Sequence, residues 1–335
     1  ANYTSSHAPL KGCANDIWNM QCLLRYTLLY SADQIRVLID SSDGRSRSDR
    51  APTKANIMAG LQWLVADAKP GDNLLFIFSG YGTQHPRSPG SDKYEGYLVP
   101  SDFAEDLPAN FFEAYAEQLE KNTGSPQNAG GGGGSAADDD KQQASAAVAA
   151  RGASKGGYRL VSLLEVHDVI SQLPKRCHAS LVLDSCYSIL PGVGPESNCP
   201  ATFKKVYRGK VEYDKLRDFI SRPRFLEMPP LPVQHTPPHL PRSNAFPACS
   251  LHCFSGCRLK EWCAEFPIEG TVQGAFSWAF LKALAQGHFH CGLYQFQQLL
   301  SQLLSGLKVH FQGLEQLAVF QLSEAASLQD VVLKT

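Results

Sequence analysis

The 335-residue chain lacks any uninterrupted apolar run of the ~18 residues that a membrane-spanning helix needs, and its start lacks a signal-peptide pattern. It also lacks a charge excess: the formal net charge of −1 favours neither nucleic acid nor an anionic membrane as a partner. The 43% apolar content is typical of a soluble protein with one large core or two smaller ones. We therefore expect no nucleic-acid partner, no membrane partner and a cytoplasmic location.

Cysteine is too sparse for a disulfide scaffold, with ten in 335 residues. Several lie within apolar patterns, so we predict buried free thiols. One group of cysteines with a histidine suggests zinc by composition, but it lacks the paired C-x2-C spacing of zinc knuckles. We predict no metal site, and keep a zinc-stabilised scaffold as a third interpretation. The group consists of Cys249, His252, Cys253, Cys257 and Cys263.

Apolar residues recur at helical spacing in some segments and form continuous runs in others, and the two kinds of segment alternate. Such alternation predicts an α/β fold in which a mostly parallel sheet lies between helical layers. The predicted helices cover 13–30, the segment from the N-cap Thr53 to Pro70, 160–173, 274–286 and 293–306. The predicted strands cover 35–39, 74–78, 179–183, 248–254 and 317–322, the last at an edge.

Two segments interrupt this pattern. Residues 104–157 contain five consecutive glycines, three consecutive aspartates and an alanine-rich tail, which predicts a disordered low-complexity insertion. Part of it also resembles an engineered Gly-Ser linker. Residues 222–247 contain eight prolines and should form an extended connector. We therefore divide the chain into a larger part, 1–221, and a smaller part, 248–335.

Reactive side chains follow two of the predicted strands. Cys186 comes directly after the strand that ends at Asp184, and Tyr81 follows the strand that leads to Ser79. The carboxyl edge of a parallel sheet is where α/β enzymes keep their sites. A nucleophilic cysteine there needs a neighbouring imidazole, which takes its proton and later protonates the leaving amine.

These motifs together resemble the metacaspases, eukaryotic relatives of the caspases. Each is weak alone, but seven occur in the order of that family and cover most of the chain outside the insertion and the connector. They are Leu10–Asp16 (LKGCAND), Pro52–Ile57 (PTKANI), Ser79–Gln84 (SGYGTQ), Val161–Asp168, Asp184–Cys186 (DSC), Ser255–Cys257 (SGC) and Gly274–Phe280 (GAFSWAF).

The resemblance implies a caspase-like three-layer sandwich with a central sheet of about six strands, in a protein that is a monomer. It implies Cys186 as the nucleophile, with Asp184 and Ser79 lining a pocket for an arginine or lysine residue before the cleaved bond. The backbone N–H groups of Gly82 and Cys186 would form the oxyanion hole.

Tyr81 stands where the family has its general-base histidine. A phenol with a pKa near 10 is a poor base and no cation, so Cys186 should keep an ordinary thiol pKa, with roughly 3% thiolate at pH 7. The scarce thiolate and the lost general-acid catalysis together should reduce the rate of proteolysis by a factor of roughly 10³ to 10⁵. His85 offers a substitute base, although the simpler interpretation is a solvated loop residue.

Calcium activation, common in the family, depends on aspartates that this chain has largely replaced. Leu163 and Leu164 stand at a family Asp-Asp pair, and leucine offers no oxygen ligand. Only Glu95 and Asp102 remain, so we expect no cofactor. The chain also begins at Ala1 without the first strand of the family, so we expect the natural protein to begin earlier.

The leading hypothesis is a metacaspase-family cysteine endopeptidase homologue that has lost most or all activity. Such a pseudoprotease would hold a basic peptide or protein, or accompany an active relative. The alternative is an active endopeptidase that cleaves after arginine or lysine through Cys186, with His85 or with no base. An active enzyme should cut itself in the basic stretch 204–210, whereas a pseudoprotease should stay intact.

Overall fold

The computed structural model describes residues 3, 10–40, 49–86, 94–107, 157–190, 222–226, 228, 247–257, 262–311, 316–327 and 329–333. Most of the insertion 104–157, most of the connector 222–247 and the basic stretch 204–210 lie outside the described residues. Residues 104–107, at the start of the predicted insertion, form turns in which Leu107 is buried.

Ten strands and five α-helices are assigned among the described residues. The strands are β1 (Asn73–Ser79), β2 (Gly82–Pro86), β3 (Tyr94–Leu98), β4 (Val161–Ser162), β5 (His178–Asp184), β6 (Arg222–Pro223), β7 (Ser250–Ser255), β8 (Ala264–Ile268), β9 (Thr271–Gly274) and β10 (Val319–Leu322). The helices are α1 (Cys13–Cys22), α2 (Lys54–Val65), α3 (Leu163–Ile170), α4 (Ala275–Gln286) and α5 (Leu293–His310).

The central sheet has the order β1-β5-β7-β10. The pairs β1–β5 and β5–β7 are parallel, and β10 runs antiparallel to β7 at the edge. Every residue of β7 and all of β5 after His178 are buried, as expected for strands covered on both faces. The mostly parallel α/β architecture is confirmed, and the described residues contribute four strands to this sheet.

Helices cover both faces of the sheet. On one face, α2 and α3 pack on side chains that include Leu181 and Leu183 of β5. On the other, α1, α4 and α5 pack on Val182 of β5 and Phe254 of β7. Because successive side chains of a strand point to opposite faces, Val182 and its neighbours contribute to two separate apolar layers. The result is a three-layer sandwich.

Two small antiparallel sheets flank the carboxyl edge of the central sheet. One has the order β2-β3-β4 and the other β6-β8-β9. The sequence analysis missed both, because these strands are 2 to 5 residues long and mix polar with apolar positions. These sheets bring Gly82, the first residue of β2, and Cys263, the residue before β8, close to the end of β5, where Cys186 lies.

Three sequence predictions need correction. The run Ile35–Ile39 is extended but forms no strand, because a cavity of about 210 Å³ lies between it and β1. The first helix ends as an α-helix at Cys22 and continues only as the π-helical turn Leu23–Thr27. The helix predicted over 160–173 begins at Leu163, because Ser162 caps it by accepting a hydrogen bond from the Leu164 N–H.

None of the helices in the described ranges is both long enough and apolar enough to cross a membrane.

Candidate active site

The parallel pairing of β1 with β5 brings two predicted pocket residues side by side. Ser79 and Asp184 are the last residues of their strands and lie directly opposite each other in the register. Both strands end at the carboxyl edge of the sheet, so the two side chains share one corner of the molecule. The structure therefore brings together two residues that lie 105 positions apart in the chain.

Arg224 fills the space between them. Its side chain is fully buried, and its guanidinium lies 2.8 Å from Asp184 Oδ2 and 2.6 Å from Asp16 Oδ2. The guanidinium also donates to Ser79 Oγ at 2.8 Å, while Glu265 Oε2 lies 3.7 Å away. A buried guanidinium requires such charge compensation. We call Asp16, Ser79, Asp184 and Glu265 the acidic pocket.

The acidic pocket is held by further hydrogen bonds. Asp184 Oδ2 accepts from both the N–H and the hydroxyl of Ser277, at 3.0 and 2.6 Å. Burial raises the pKa of Asp184 to about 6, although the charge of Arg224 and the Ser277 hydrogen bonds oppose the shift. Burial alone would lower the pKa of Arg224, but Asp184 and its acidic neighbours outweigh burial and hold it well above its ordinary value. Arg224 is therefore a cation at any physiological pH.

The backbone carbonyl of Arg224 occupies the predicted oxyanion hole. Its oxygen accepts hydrogen bonds from the Gly82 N–H at 3.0 Å and from the Cys186 N–H at 3.2 Å. Gly82 and Cys186 can lie this close together only because residue 82 is glycine: a Cβ there would lie only 1.8 Å from the carbonyl oxygen of Cys186. Two converging amides of this kind can stabilise the negative charge of an acyl-transfer intermediate.

The residues around Arg224 pair with both sides of the cleft. β6 pairs antiparallel with β8, and the Arg224 N–H donates to Cys263 O at 2.7 Å. On the other side, the Leu226 N–H donates to Gly82 O at 3.1 Å. A segment that lies between two strand edges with its side chain in a pocket is bound in the way that extended peptides are bound.

Cys186 is buried, and other cysteines surround its sulfur. The Cys263 N–H donates to Cys186 Sγ at 3.3 Å. Burial raises the thiol pKa, but hydrogen bonds from Cys257 and Cys263 and the charge of Arg224 outweigh it, so the pKa of Cys186 lies well below its ordinary value. The direction differs from the ordinary thiol pKa expected from the sequence, because hydrogen bonds from neighbouring thiols and the charge of Arg224 favour the thiolate form.

Tyr81 packs into an apolar cluster beside the site. Its ring lies 4.7 Å from that of Tyr3, and its N–H donates to the Tyr3 hydroxyl at 3.1 Å. The Tyr3 hydroxyl in turn donates to Val99 O. In the described part of the chain, no histidine hydrogen-bonds to the sulfur of Cys186.

His85 is not the solvated loop residue that the sequence suggested. It lies in β2 with 5% of its surface exposed, and its ring lies between those of Tyr97 and Tyr158. Burial lowers the pKa of His85 to about 4, so the ring is neutral at pH 7. His85 lies three positions after Gly82 in the same extended strand, so their backbones are about 10 Å apart.

The group of cysteines with His252 that suggested zinc by composition does not come together as one site. Alternation along β7 places Cys249 and Cys253 in the core with α2 and α3, while His252 faces Asp330 at 3.3 Å. Cys257 and Cys263 lie elsewhere, beside Cys186.

The two acidic residues considered as calcium ligands accept hydrogen bonds from other groups of the protein. Asp102 accepts from the Lys54 N–H at 2.8 Å, and Glu95 accepts from the Ser162 hydroxyl. Leu163, at the family aspartate position, is fully buried in the core.

The sequence analysis missed three residues of the site: Asp16, Arg224 and Glu265. Asp16 ends the motif Leu10–Asp16, so its place in that motif was a usable signal. Glu265 accepts from the N–H groups of Lys11 and Gly12 at 2.8 Å, which ties β8 to the start of α1. Arg224 gave no signal beyond being basic, because its segment appeared to be a connector.

Comparison with known proteins supports the first third of this chain most strongly. Residues 1–109 match the family model of the metacaspase peptidase C14 domain. Metacaspase-1 of Coccidioides immitis is 38% identical over 104 residues, which cover 30% of this chain and 22% of that protein. Metacaspase-1 of Debaryomyces hansenii is 46% identical over 81 residues, 24% of this chain and 18% of the relative. The chain thus spans about a fifth of the length of these relatives, and the match to the family model ends before Cys186.

A solved structure of a protein from Geobacter sulfurreducens aligns with 99% of this chain and 94% of its own, with a TM-score of 0.49 and 13% identity.

Proposed function

We propose that the chain is a metacaspase homologue that binds an arginine or lysine residue of a peptide in the acidic pocket and hydrolyses the peptide poorly or not at all; the match of residues 1–109 to the metacaspase family model supports this proposal. The observation that carries this proposal is Arg224. Its guanidinium lies among three carboxylates, and its carbonyl oxygen lies between the amides of Gly82 and Cys186. The pocket therefore matches a basic residue that precedes a polarised carbonyl.

Impaired hydrolysis follows from the groups around Cys186. Its lowered pKa favours a thiolate, so attack on a carbonyl is not the main obstacle. The leaving amine must still be protonated, and Tyr81 lies in an apolar cluster beside Tyr3. Loss of general-acid catalysis costs about 10² to 10⁴ in rate. This part of the expected penalty remains even with the thiolate stabilised.

Segment Arg222–Leu226 acts in this proposal as a tethered ligand of the site. An external basic peptide must displace Arg224, so its apparent affinity falls in proportion to the fraction of open pocket. Partners that meet this requirement are basic peptides or proteins, and an active relative remains a proposed partner as well. Because Leu163 offers no oxygen and Glu95 is hydrogen-bonded internally, binding should not need calcium.

An active peptidase is the alternative function, and the lowered pKa of Cys186 is the observation that favours it. In that case the first bond at risk is the one after Arg224, which already lies at the two amides, and not a bond in the basic stretch 204–210. Intact-mass analysis of the purified chain distinguishes the two positions.

The test compares arginine-terminated fluorogenic peptides on four proteins: the unmodified chain, Arg224→Ala, Tyr81→His/Arg224→Ala, and that double variant with Cys186→Ala. We expect peptide binding to Arg224→Ala but not to the unmodified chain, and turnover only in the double variant with Cys186 present. Arg159→Ala is the matched control, since it removes an arginine that is partly exposed at the surface. Turnover by the unmodified chain, or by Arg224→Ala without the added histidine, would establish the alternative.

A further inference from the structure

Three cysteine sulfurs meet beside the site, and hydrolysis needs only one of them. The Sγ atoms of Cys186, Cys257 and Cys263 all lie within 4.8 Å of one another. They come from three chain segments: the turn after β5, the residues after β7 and the residue before β8. Each of the three is at most 1% exposed. Among the described residues this is the one group of three metal-ligating side chains so close together.

We infer that these three thiols, the thiol cluster, form a binding site for one zinc ion. Thiolate sulfur is a soft ligand that selects zinc over hard cations such as calcium and magnesium. Three cysteines with a fourth position left for water or another donor is an established zinc coordination type. This inference is independent of the proposed peptide binding, because it rests on three sulfurs and not on the acidic pocket.

The spacing of the cluster suits tetrahedral zinc. With Zn–S bonds of about 2.3 Å, the sulfurs of such a site lie about 3.8 Å apart. The present limit of 4.8 Å therefore requires a contraction of about 1 Å at most. Rotation of a cysteine side chain about one bond supplies a movement of that size without moving the backbone.

The surroundings favour a metal over free thiols in solvent. Gly256 leaves room for the cluster, because a Cβ at that position would lie 2.7 Å from Cys263 Sγ. The ring of Tyr187 packs with the cluster, and Phe225 and Trp262 lie against it. An apolar wall of this kind strengthens metal–thiolate bonds by keeping water away.

Zinc at this site would occupy the nucleophile position. A sulfur bonded to zinc is not free to attack a carbonyl or to react with an alkylating reagent. The metal would also join the ends of three segments that are otherwise linked by weak thiol contacts, so it should raise the stability of the fold.

The test uses the full chain, stripped of metal by a chelator and kept reduced. Cadmium is titrated in and read by its thiolate charge-transfer absorption, and zinc is then measured by competition with a chromophoric chelator. We expect one equivalent of either metal, a rise in melting temperature, and protection of Cys186 from iodoacetamide in peptide mass spectra. Calcium and magnesium should produce none of these.

Variants locate the site. Cys263→Ser and, independently, Cys257→Ser should each weaken cadmium and zinc affinity by about 100-fold or more, because even the loss of a ligand-supporting group costs 10- to 100-fold. Cys291→Ser is the matched control, since it alters a buried cysteine outside the cluster and should leave affinity unchanged. Circular dichroism shows that each variant is folded.

Three results would overturn the inference. One is an absence of stoichiometric metal on the reduced, folded chain. A second is binding that survives in both cluster variants. The third is a disulfide between two cluster cysteines that forms in air and leaves the third sulfur without partners for a metal.

Discussion

Arg224 and Cys186 are both buried at the carboxyl edge of one sheet, but their surroundings differ in kind. Four side chains from four separate regions of the chain share the recognition of Arg224: Asp16, Ser79, Asp184 and Glu265. In the proposed function, proton transfer at Cys186 would depend on a single imidazole, and the position proposed for it carries Tyr81. Recognition that is shared among several groups survives the loss of one contact, whereas proton transfer does not.

The comparison indicates how such a site could keep its binding groups while losing its reaction, as the proposed function requires. The two amides and the acidic pocket follow from the ends of β1, β2 and β5, which the fold fixes whether or not a base is present. Hydrogen bonds from Cys257 and Cys263 and the charge of Arg224 lower the pKa of Cys186 without a histidine. Among the described residues, no histidine hydrogen-bonds to the sulfur of Cys186.

The largest expected effect comes from Arg224→Ala. It leaves Asp16, Asp184 and Glu265 buried without their cation, which should cost about 3 to 5 kcal/mol of unfolding free energy by urea titration. Arg159→Ala, at the surface, should cost less than about 1 kcal/mol. An arginine-terminated peptide should restore part of the lost stability, because it refills the pocket.

Equal stability of the two arginine variants would show that the acidic pocket does not depend on its tethered residue. The contrast between the recognition of Arg224 and the chemistry of Cys186 would then lose its support from the acidic pocket.

The second prediction concerns His85 and pH. Its pKa is about 4 in the folded chain against an ordinary 6.5, so the unfolded chain binds a proton that the folded chain excludes. This contribution to stability is present in full above pH 6.5 and is lost as pH falls toward 4, by about 3 kcal/mol. Thermal unfolding of His85→Phe should lack this dependence on pH.

His290→Gln is the control, since it alters an exposed histidine and should keep the pH dependence of the unmodified chain. A slope that persists in His85→Phe would argue that the ring of His85 is hydrated and open to protonation, and would reopen its role as a base.

The smallest of the three expected effects comes from Gly82→Ala, a change at the residue between the acidic pocket and Cys186. In Gly82→Ala the new Cβ would meet the backbone oxygen of Cys186, which should cost about 1 to 3 kcal/mol and displace Arg224 from the two amides. Gly60→Ala is the matched control in α2, where the nearest atom to a Cβ is 3.8 Å away. It should stabilise by up to about 1 kcal/mol. Tolerance of alanine at Gly82 would show that the cleft is wider than the described contacts require.

Sequence patterns predicted the layers of the fold better than its edges. The buried runs of β5 and β7 and the periodic helices α4 and α5 each carry an apolar signal of their own, so their type was readable. The short strands β2, β6, β8 and β9 were not, since each is stabilised by its neighbours and not by a pattern. The segment Ile35–Ile39 shows the opposite error: it has strand residues, but none of the strands in the described part of the chain pairs with it.

The candidate site divides in the same way. Ser79, Gly82, Asp184 and Cys186 lie in motifs at strand ends, which made their shared position predictable. Asp16 and Glu265 needed the packing of α1 against β8, and the thiol cluster needed three segments to converge. His85 was misjudged because the loop-forming residues after it suggested exposure, whereas β3 and Tyr158 cover it.

By itself, the sequence determined the alternation of helix and strand, the acidic and thiol groups at the strand ends, and the presence of a phenol, Tyr81, after the strand that ends at Ser79. Those are local properties of residue type and spacing. The tertiary structure alone decided that Arg224 occupies the pocket, that cysteines and not a histidine surround Cys186, and that His85 is neutral. Each of these depends on contacts between residues far apart in the chain, and on the burial that changes a charge or a pKa only after the chain has folded.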